Sequence, residues 1–300
     1  MAGMATATTC GMFYNDPVNI GISLQRRALI GAGLEQSTIS GTHGDVVVYQ
    51  GGEGPTLVLV HGFMDQPGSF NEVASDLTSR YHVVIPALAG HGQSAGPSDG
   101  HLTLADTYES LEQVMDAQRD GGPAVMLGNS MGGWLTMRYA LDHPDRLSRI
   151  ILMNSSGLSH KLNKAELIPA TPQGIQEKTD RIWGDHAPQL PPFMLRALVD
   201  YHQQPPMEWL FDHLTADDYV DGELVDLAVP ADLIWGTNDG VLPMEYAHRL
   251  HGAIPGSRLH EMPGCAHAPQ LTCPDLLPDL VDQIIQAGTA APEAAVGTPH

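Results

Sequence analysis

Short apolar runs alternate with longer amphipathic segments through most of the 300-residue chain. Each run has the length of one buried strand and is bounded by Gly, Pro, Asn or His. The predicted strands are Val46–Tyr49, Thr56–Val60, Val83–Ile85, Ala124–Leu127, Ile150–Met153, Leu233–Trp235 and Leu259–Met262. Apolar positions at helical spacing between them predict helices over Leu104–Gln118 and Trp134–Asp142. This alternation predicts an α/β fold with a mainly parallel sheet flanked by helices, and with active-site residues at the carboxyl ends of the strands.

The alternation stops in the second half of the chain, where prolines and aromatic residues are frequent. Two helices, Phe193–His202 and Met207–Leu214, are predicted there. Because such a long loop without secondary structure is uncommon in a compact domain, the stretch is predicted to fold as an inserted helical cap. Near the start of the chain, Ile22, Leu29 and Ile30 share one face of a predicted docking helix. The predicted organisation is a leader with this short helix (residues 1–35), a first core part (36–157), a helical cap (158–228), a second core part (229–286) and a disordered tail (287–300).

The charge of the chain excludes several classes of partner. The formal net charge is −21, from 14 Lys and Arg against 35 Asp and Glu. A surface this negative repels phosphate backbones and anionic lipid headgroups, which argues against nucleic acid and against docking to membranes. Apolar residues make up 42% of the chain, enough for a packed core, but no stretch long enough to cross a bilayer is uniformly apolar. We therefore expect no stable membrane insertion.

The three cysteines, Cys10, Cys265 and Cys273, include no CxxC pair and are too few for a disulfide framework. The first residues lack a basic region and an apolar core with a cleavage site, so no secretory signal is predicted. We expect reduced thiols and a cytoplasmic protein. The 15 histidines show no HxxxH or HExxH spacing, so no metal or other cofactor is predicted.

A candidate nucleophile lies on a glycine-rich turn. The segment Gly128–Gly133, with the sequence GNSMGG, follows a predicted strand and precedes the helix that begins at Trp134. A sharp turn there forces its serine into an unfavourable backbone conformation, and glycines two residues to either side let chains pass closely. Such a turn presents the hydroxyl at a helix N-terminus, where free N–H groups favour a developing oxyanion. A Gly-x-Ser-x-Gly sequence also arises by chance, but the strand and helix on either side favour Ser130 as a nucleophile.

Two further candidates follow the last two predicted strands. Asp239 lies after the strand that ends at Trp235, and His267 lies after the strand that ends at Met262. Their side chains should therefore meet that of the serine at the carboxyl edge of the sheet. His267 would take the serine proton and return it to the leaving group, while Asp239 would orient the imidazole. Asp232 begins a strand instead of following one and is a weaker candidate for the acid.

Together these segments resemble the α/β-hydrolase superfamily. The resemblance covers about residues 37–286 and is carried, in chain order, by the motifs HGF, GHGQS, GNSMGG and GTND and by the late His267. It implies an α/β-hydrolase sheet with an inserted cap and a Ser-His-Asp triad. It also implies an oxyanion hole formed by the backbone N–H groups of Phe63 and Met131, with His61 bracing the first of these loops. A serine in the turn argues against haloalkane dehalogenases and epoxide hydrolases, which carry aspartate there.

Two groups within the superfamily resemble the chain most. The GNSMGG turn and the segment Asn154–Leu158 are similar to meta-cleavage-product hydrolases, which break carbon–carbon bonds, and to monoacylglycerol lipases and carboxylesterases. The carbon–carbon enzymes usually carry a Gly-Pro-Gly-rich loop after His-Gly and a tryptophan after the catalytic histidine. Here the loop is Phe-Met-Asp-Gln-Pro-Gly, and Ala268 follows His267. These departures favour a serine esterase, either a carboxylesterase or a small lipase, that acts on a small-molecule ester.

The cap offers candidates for contact with the substrate. Its apolar side chains would supply an acyl pocket, although for most of them a role in the cap's own small core is favoured. In the carbon–carbon hypothesis, Arg196 would hold the acid group of the substrate. The candidate substrate contacts are Trp183, Phe193, Met194, Arg196 and Trp209. A third hypothesis, a non-catalytic binding protein of the same fold, is disfavoured by the complete triad, and no oligomeric state is predicted.

Overall fold

A computed structural model describes residues 17–161, 163–203 and 205–289 of the chain. These residues form one sheet of eight strands and eleven α-helices. The strands are β1 (Glu35–Gly41), β2 (Gly44–Gly51), β3 (Thr56–Val60), β4 (His82–Pro86), β5 (Ala124–Asn129), β6 (Leu147–Met153), β7 (Ala231–Gly236) and β8 (Arg258–Met262). The helices are α1 (Pro17–Gly31), α2 (Asn71–Thr78), α3 (Leu104–Ala117), α4 (Met131–Asp142), α5 (Lys164–Leu167), α6 (Pro172–Trp183), α7 (Pro192–His202), α8 (Pro205–Asp212), α9 (Met244–Ala253), α10 (Pro269–Thr272) and α11 (Leu277–Thr289).

The sheet is mainly parallel, which confirms the predicted fold class. Its strand order is β1-β2-β4-β3-β5-β6-β7-β8, and only the pairs β1–β2 and β2–β4 are antiparallel. The other neighbours are parallel, so the helices between them cross over the faces of the sheet. All seven predicted strands are present. The eighth, β1, escapes the prediction because its sequence is polar and it lies at the exposed edge of the sheet.

The side chains of the central strands alternate between two core layers. In β3, Leu57 and Leu59 pack on one face and Val58 and Val60 on the other, and all four are fully buried. Helices α1, α2 and α11 cover the first face, while α3, α4 and α9 cover the second. Burial on both faces explains the continuous apolar runs in the sequence of these strands.

The predicted cap segment, residues 158–228, contains α5 to α8 and no strand among its described residues. Helices α7 and α8 match the two helices predicted for this segment. Helix α6 was not predicted, because its sequence is mostly polar. Two backbone hydrogen bonds fasten the end of α6 to the core. His267 N–H donates to the carbonyl of Ile182 over 3.1 Å, and Gly240 N–H donates to that of Arg181 over 3.2 Å. The last turn of α6 is therefore held against the loops that follow β7 and β8.

Both ends of the chain extend beyond the described residues. The predicted leader before Pro17 lies outside them, as do residues 290–300 of the predicted tail. In α1, Leu29 is buried but Ile30 is exposed, so the prediction that Ile30 docks on the core is wrong. Helix α11 continues to Thr289, and the first three residues of the predicted disordered tail are therefore helical. None of the described helices is long and apolar enough to span a membrane.

Cys265 and Cys273 form a disulfide, which contradicts the prediction of reduced thiols. The chain turns through α10 between them and brings their Cα atoms to 5.8 Å, a separation that a bridge can span. A search for CxxC pairs misses this bridge because its cysteines are 8 positions apart. Cys10 lies outside the described residues. The cytoplasmic location rested partly on reduced thiols, and it stays a prediction.

Candidate active site

Ser130 lies in the turn between β5 and α4. Its φ of 55° and ψ of −119° are unfavourable for a residue with a side chain, so the surrounding structure must hold the turn in place. A Cβ on Gly128 would overlap the carbonyl of Gly132, and a Cβ on Gly132 would overlap the carbonyl of Val60. These glycines are thus required by close backbone approach, and the turn presents the serine at the carboxyl edge of the sheet.

Asp239 and His267 form a buried hydrogen-bonded pair. His267 Nδ1 lies 2.9 Å from Asp239 Oδ2, and the two side chains are only 8% and 1% exposed. Because an ionised carboxylate can only accept, Nδ1 carries the proton and Nε2 remains available as a base. The second carboxylate oxygen accepts from the backbone N–H groups of Val241 (2.7 Å) and Leu242 (2.8 Å). These bonds fix the carboxylate in the orientation that holds the imidazole.

Asn154, directly after β6, positions the acid, a role that sequence reasoning missed. Its Nδ2 donates to Asp239 Oδ2 over 2.6 Å, the same oxygen to which His267 donates. Its Oδ1 accepts from the backbone N–H of Gly236 over 3.2 Å. The residue is fully buried and has a φ of 44°, a conformation that asparagine adopts more readily than most residues. The sequence carried two signals for this role, the place of Asn154 directly after a predicted strand and its place in the segment Asn154–Leu158 that resembles known hydrolases.

Asn129, the residue before the serine, ties the nucleophile turn to the histidine loop. Its Nδ2 donates to the carbonyls of His267 and Met153, each over 3.0 Å. Its Oδ1 accepts from Gln270 Nε2 over 3.2 Å. The asparagine and its partners are buried, so these bonds are sheltered from water. The motif residue between Gly128 and Ser130 therefore positions the loop that carries the candidate base.

Ser130 and His267 line one cavity of about 450 Å³ between the carboxyl edge of the sheet and the cap segment. Phe63 and Met131, the predicted oxyanion donors, line the same cavity. Asp239 does not line this cavity and is joined to it through its hydrogen bond with His267. Within the described part of the chain, no hydrogen bond joins Ser130 Oγ to His267 Nε2. Such contacts commonly tighten only when a substrate binds.

The predicted oxyanion donors Phe63 and Met131 lie in the loop after β3 and at the start of α4. The backbone N–H groups of Phe63 and Met131 have no backbone partner among the described residues, so both are free to bind an oxyanion. His61 braces this loop, since its Nε2 accepts from Leu88 N–H over 3.1 Å and its Nδ1 donates to the carbonyl of Gly62 over 2.9 Å. Burial lowers the pKa of His61 to about 4, which keeps the ring neutral and able to accept at Nε2.

Of the predicted substrate contacts in the cap, Trp183 lines the cavity. Four others lie outside the cavity wall: Phe193, Met194, Arg196 and Trp209. Helix α7 reaches the cavity only through Leu198 and His202 in its C-terminal half, so residues near its start do not face the site. Trp209 instead stacks on His101, with ring centroids 3.7 Å apart. The sequence showed which residues belong to the cap, but not which side each helix turns toward the sheet.

Among the charged side chains of the cavity wall, Asp65 and Lys178 have pKa values far from their usual range, and sequence reasoning missed both. Burial raises the pKa of Asp65 to about 6, against hydrogen bonds from the Ser69 hydroxyl and from the backbone of Gln66 and Gly62. Burial lowers the pKa of Lys178 to about 7, against the attraction of Asp65. The place of Asp65 shortly after the His-Gly motif was an available signal. Lys178 gave none, because the helix that carries it was not predicted.

One group among the described residues has the spacing to hold a metal ion: His43, Asp106 and Glu109. None of the three lines the cavity. Asp106 already caps α3, because its Oδ2 accepts from the backbone N–H of Thr103 over 2.8 Å and from its hydroxyl over 2.6 Å. His43 Nε2 lies 2.8 Å from the other oxygen. Glu109 Oε1 accepts from the Thr42 hydroxyl. Since all three side chains have partners within the protein, we propose no metal or cofactor there.

Comparison with known proteins places this geometry in a family. The model of the alpha/beta hydrolase family matches residues 57–279. An uncharacterized protein of Mycobacterium tuberculosis is 29% identical over 265 residues, which cover 78% of this chain and 76% of that protein. The pimeloyl-(acyl-carrier protein) methyl ester esterase of Yersinia enterocolitica is 29% identical over 254 residues, covering 78% and 95% of the two chains.

Solved structures share the fold at lower identity. A bacterial membrane phospholipase A aligns with a TM-score of 0.79 at 24% identity, over 92% of this chain and 93% of that one. A carboxylesterase of Bacillus subtilis and a meta-cleavage product hydrolase of Pseudomonas fluorescens have the same fold. The family match spans most of the sheet and the loops that carry the motifs. The chain therefore belongs to the alpha/beta hydrolase family.

Proposed function

We propose that this protein hydrolyses carboxylic esters through an acyl-enzyme formed on Ser130. The observation that supports the proposal is that three features line one cavity. They are a serine on a strained turn, a histidine hydrogen-bonded to an aspartate, and two free backbone N–H groups. Membership of the family supports hydrolase chemistry. The methyl ester esterase of Yersinia enterocolitica among the relatives favours an ester as the substrate.

In the proposed reaction, Ser130 Oγ attacks the ester carbonyl carbon while its proton passes to His267 Nε2. The carbonyl oxygen becomes negative and is stabilised by the N–H groups of Phe63 and Met131. When the tetrahedral intermediate collapses, the bond to the alcohol oxygen breaks and His267 gives its proton to the departing alcohol. Asp239 stabilises the imidazolium throughout. A water molecule then repeats the cycle on the acyl-enzyme and releases the carboxylic acid.

The cavity wall suits an acyl chain. Apolar side chains from both the core and the cap surround the space in front of the serine, as is usual for small-molecule sites. They include Ile175, Ile182, Leu198, Leu210, Phe211 and Leu271. A substrate with an apolar acyl part can therefore be desolvated beside the nucleophile.

Hydrolysis of a panel of p-nitrophenyl esters of increasing acyl length tests the proposal. The wild-type protein should turn over these esters, and Ser130→Ala should lower kcat by about 10⁶-fold, as loss of a triad nucleophile does elsewhere. A matched control is Ser79→Ala, which removes an exposed hydroxyl after α2 and should leave kcat unchanged. Full activity in Ser130→Ala would contradict the proposal.

Two alternatives are tested with the same protein. The carbon–carbon hydrolase hypothesis drew on Arg196, which lies outside the cavity wall. Serine-dependent bleaching of a coloured ring-fission dienoate would nevertheless favour it over ester hydrolysis. A non-catalytic binding protein would leave Ser130 unlabelled by a fluorophosphonate probe, whereas the proposed esterase should be labelled.

A further inference from the structure

Lys178 is a cation in the cavity wall for which the proposed reaction has no use. Its Nζ donates to the carbonyl of Leu167 over 2.7 Å and contacts Met64 Sδ at 3.9 Å. An ammonium has three donors, and a thioether is a weak acceptor, so these contacts leave donor capacity unfilled. No carboxylate among the described residues forms an ion pair with it. Burial of such a cation is costly, which is why its pKa falls to about 7.

The groups around Lys178 leave room for an anion that comes from outside the protein. Asp65 is the carboxylate whose charge reaches it, but the two side chains form no hydrogen bond or ion pair in the described part of the chain. His202 on α7 is neutral, because burial and repulsion by Lys178 lower its pKa to about 3. Arg181, another cation of the cavity wall, is paired with Glu166. Lys161 also lines the wall, but it is exposed to solvent. Lys178 is therefore the half-buried cation of this wall with capacity for a further acceptor.

The position of Lys178 is fixed relative to the candidate catalytic residues. Backbone N–H groups of the acid and histidine loops donate to the carbonyls of Arg181 and Ile182, one helical turn beyond Lys178 on α6. The contact of Lys178 Nζ with Met64 Sδ also holds the lysine against the loop that carries the predicted oxyanion donor Phe63. A group bound at Lys178 thus lies in the same cavity as an ester at the serine, at a separation that the fold holds constant.

We propose that the acyl part of the substrate ends in a free carboxylate, which Lys178 binds while Ser130 attacks the ester carbonyl. The substrate class is then the half-esters of dicarboxylic acids, with the methylene chain lying against the apolar wall of the cavity. A bound carboxylate supplies the charge-assisted hydrogen bonds that Lys178 lacks. This inference rests on the proposed ester hydrolysis and adds the chemical nature of the acyl group.

The test compares esters that differ only in this terminal charge. Mono-p-nitrophenyl esters of glutaric, adipic and suberic acid are measured beside their neutral twins, in which the terminal carboxylate is replaced by a carboxamide. At the best chain length, wild-type kcat/KM should favour the anionic ester by about 10- to 100-fold, the range expected for a hydrogen bond to a charged group. In Lys178→Gln this preference should disappear, although the amide can still donate to the carbonyl of Leu167. Lys178→Arg, which retains the positive charge, should keep the preference in part.

Arg27→Gln is the matched control, because it makes the same change of charge on the exposed surface of α1 and should keep the wild-type preference. Equal kcat/KM for the two twins in the wild type, or an unchanged preference in Lys178→Gln, would overturn the role of Lys178 while leaving ester hydrolysis intact. Hydrolysis of neither twin would instead contradict the proposed function. In that case, calorimetric titration of Ser130→Ala with adipate and adipamate still tests whether Lys178 binds a carboxylate. Tighter binding of adipate would support the carboxylate site, and equal affinities would overturn it.

Discussion

Reduction of the disulfide between Cys265 and Cys273 is expected to lower the unfolding free energy of the protein. The size of this loss depends on the length of the loop that the disulfide closes. The bridge joins residues 8 positions apart. For a loop of this length, the chain-entropy relation gives a loss of about 2.5 kcal/mol in unfolding free energy at 25 °C. In a domain of this size, that loss corresponds to a fall in Tm of about 5–10 °C.

The effect on catalysis should be smaller than the effect on stability, although His267 lies inside the bridged loop. Two hydrogen bonds hold this residue independently of the disulfide. Its backbone N–H donates to the carbonyl of Ile182 over 3.1 Å, and Asn129 Nδ2 donates to its own carbonyl over 3.0 Å. The reduced protein, while folded, should therefore keep the proposed ester hydrolysis at 25 °C and lose it at a lower temperature than the oxidised protein.

Thermal unfolding followed by circular dichroism, with and without a phosphine reductant, measures the change. Unreduced protein in denaturant should expose one reactive thiol, that of Cys10, and reduced protein three. Cys10→Ser should show the full fall in Tm on reduction, whereas the double variant Cys265→Ser/Cys273→Ser should show none. Three reactive thiols before reduction, or a wild-type Tm that the reductant does not change, would refute the reasoning.

Three substitutions separate catalysis from stability. Asp239→Asn should lower kcat by about 10⁴-fold in the ester assay, because an amide no longer holds His267 in the tautomer that leaves Nε2 as the base; an unchanged kcat would show that the pair is not catalytic. Asn129→Ala leaves the buried carbonyl of His267 without its donor and the buried side-chain amide of Gln270 without its acceptor, and should lower the unfolding free energy in urea titrations by about 1–3 kcal/mol, together with kcat. Asp232→Asn removes the buried partner of Arg258 and should cost about 3–5 kcal/mol with kcat intact, since Asp232 lies at the opposite end of its strand from the site. Burial would raise the pKa of Asp232, but hydrogen bonds such as that from Arg258 hold it below its usual value. This stabilisation is therefore present at neutral pH and is lost as the pH falls through the folded-state pKa, so the wild type and Asp232→Asn should converge in acid.

The motifs were predictable because each one follows a strand that is buried on both faces. Such strands have continuous apolar sequences, and in a parallel sheet their carboxyl ends all lie at one edge. Ser130, Asp239 and His267 could therefore be assigned to one place without any knowledge of their contacts. The structure joins the last two by a hydrogen bond and sets the first and last in one cavity. Their catalytic roles remain proposals for the variants above to test.

Features that depend on side-chain direction or on three-dimensional proximity were not predictable in this way. Helix α6 has too few apolar residues to show a periodic pattern, since it packs mainly through Ile175 and its last turn. The sequence therefore predicts no helix over Lys178, although it assigns the residue to the helical cap. The partner of Cys265 depends on a turn of the chain that spacing alone does not reveal. For α7, the sequence shows apolar residues all along the helix, whereas only its C-terminal half approaches the cavity.

The net charge of the chain affects the binding of polyanions at its surface, whereas the charge of Lys178 affects the binding of a small anion inside the cavity. A charge of −21 argues against polyanions at the surface, where many like charges act together. It does not argue against a single carboxylate inside the cavity, because surface charges are screened over about 10 Å at 0.1 M salt, whereas a buried cation is screened much less. Repulsion by the surface should slow the approach of an anionic half-ester, and Lys178 should stabilise it once it has entered. Added salt should therefore raise kcat/KM for the anionic ester relative to its neutral twin, and a preference that falls with salt would place the recognition at the surface instead of at Lys178.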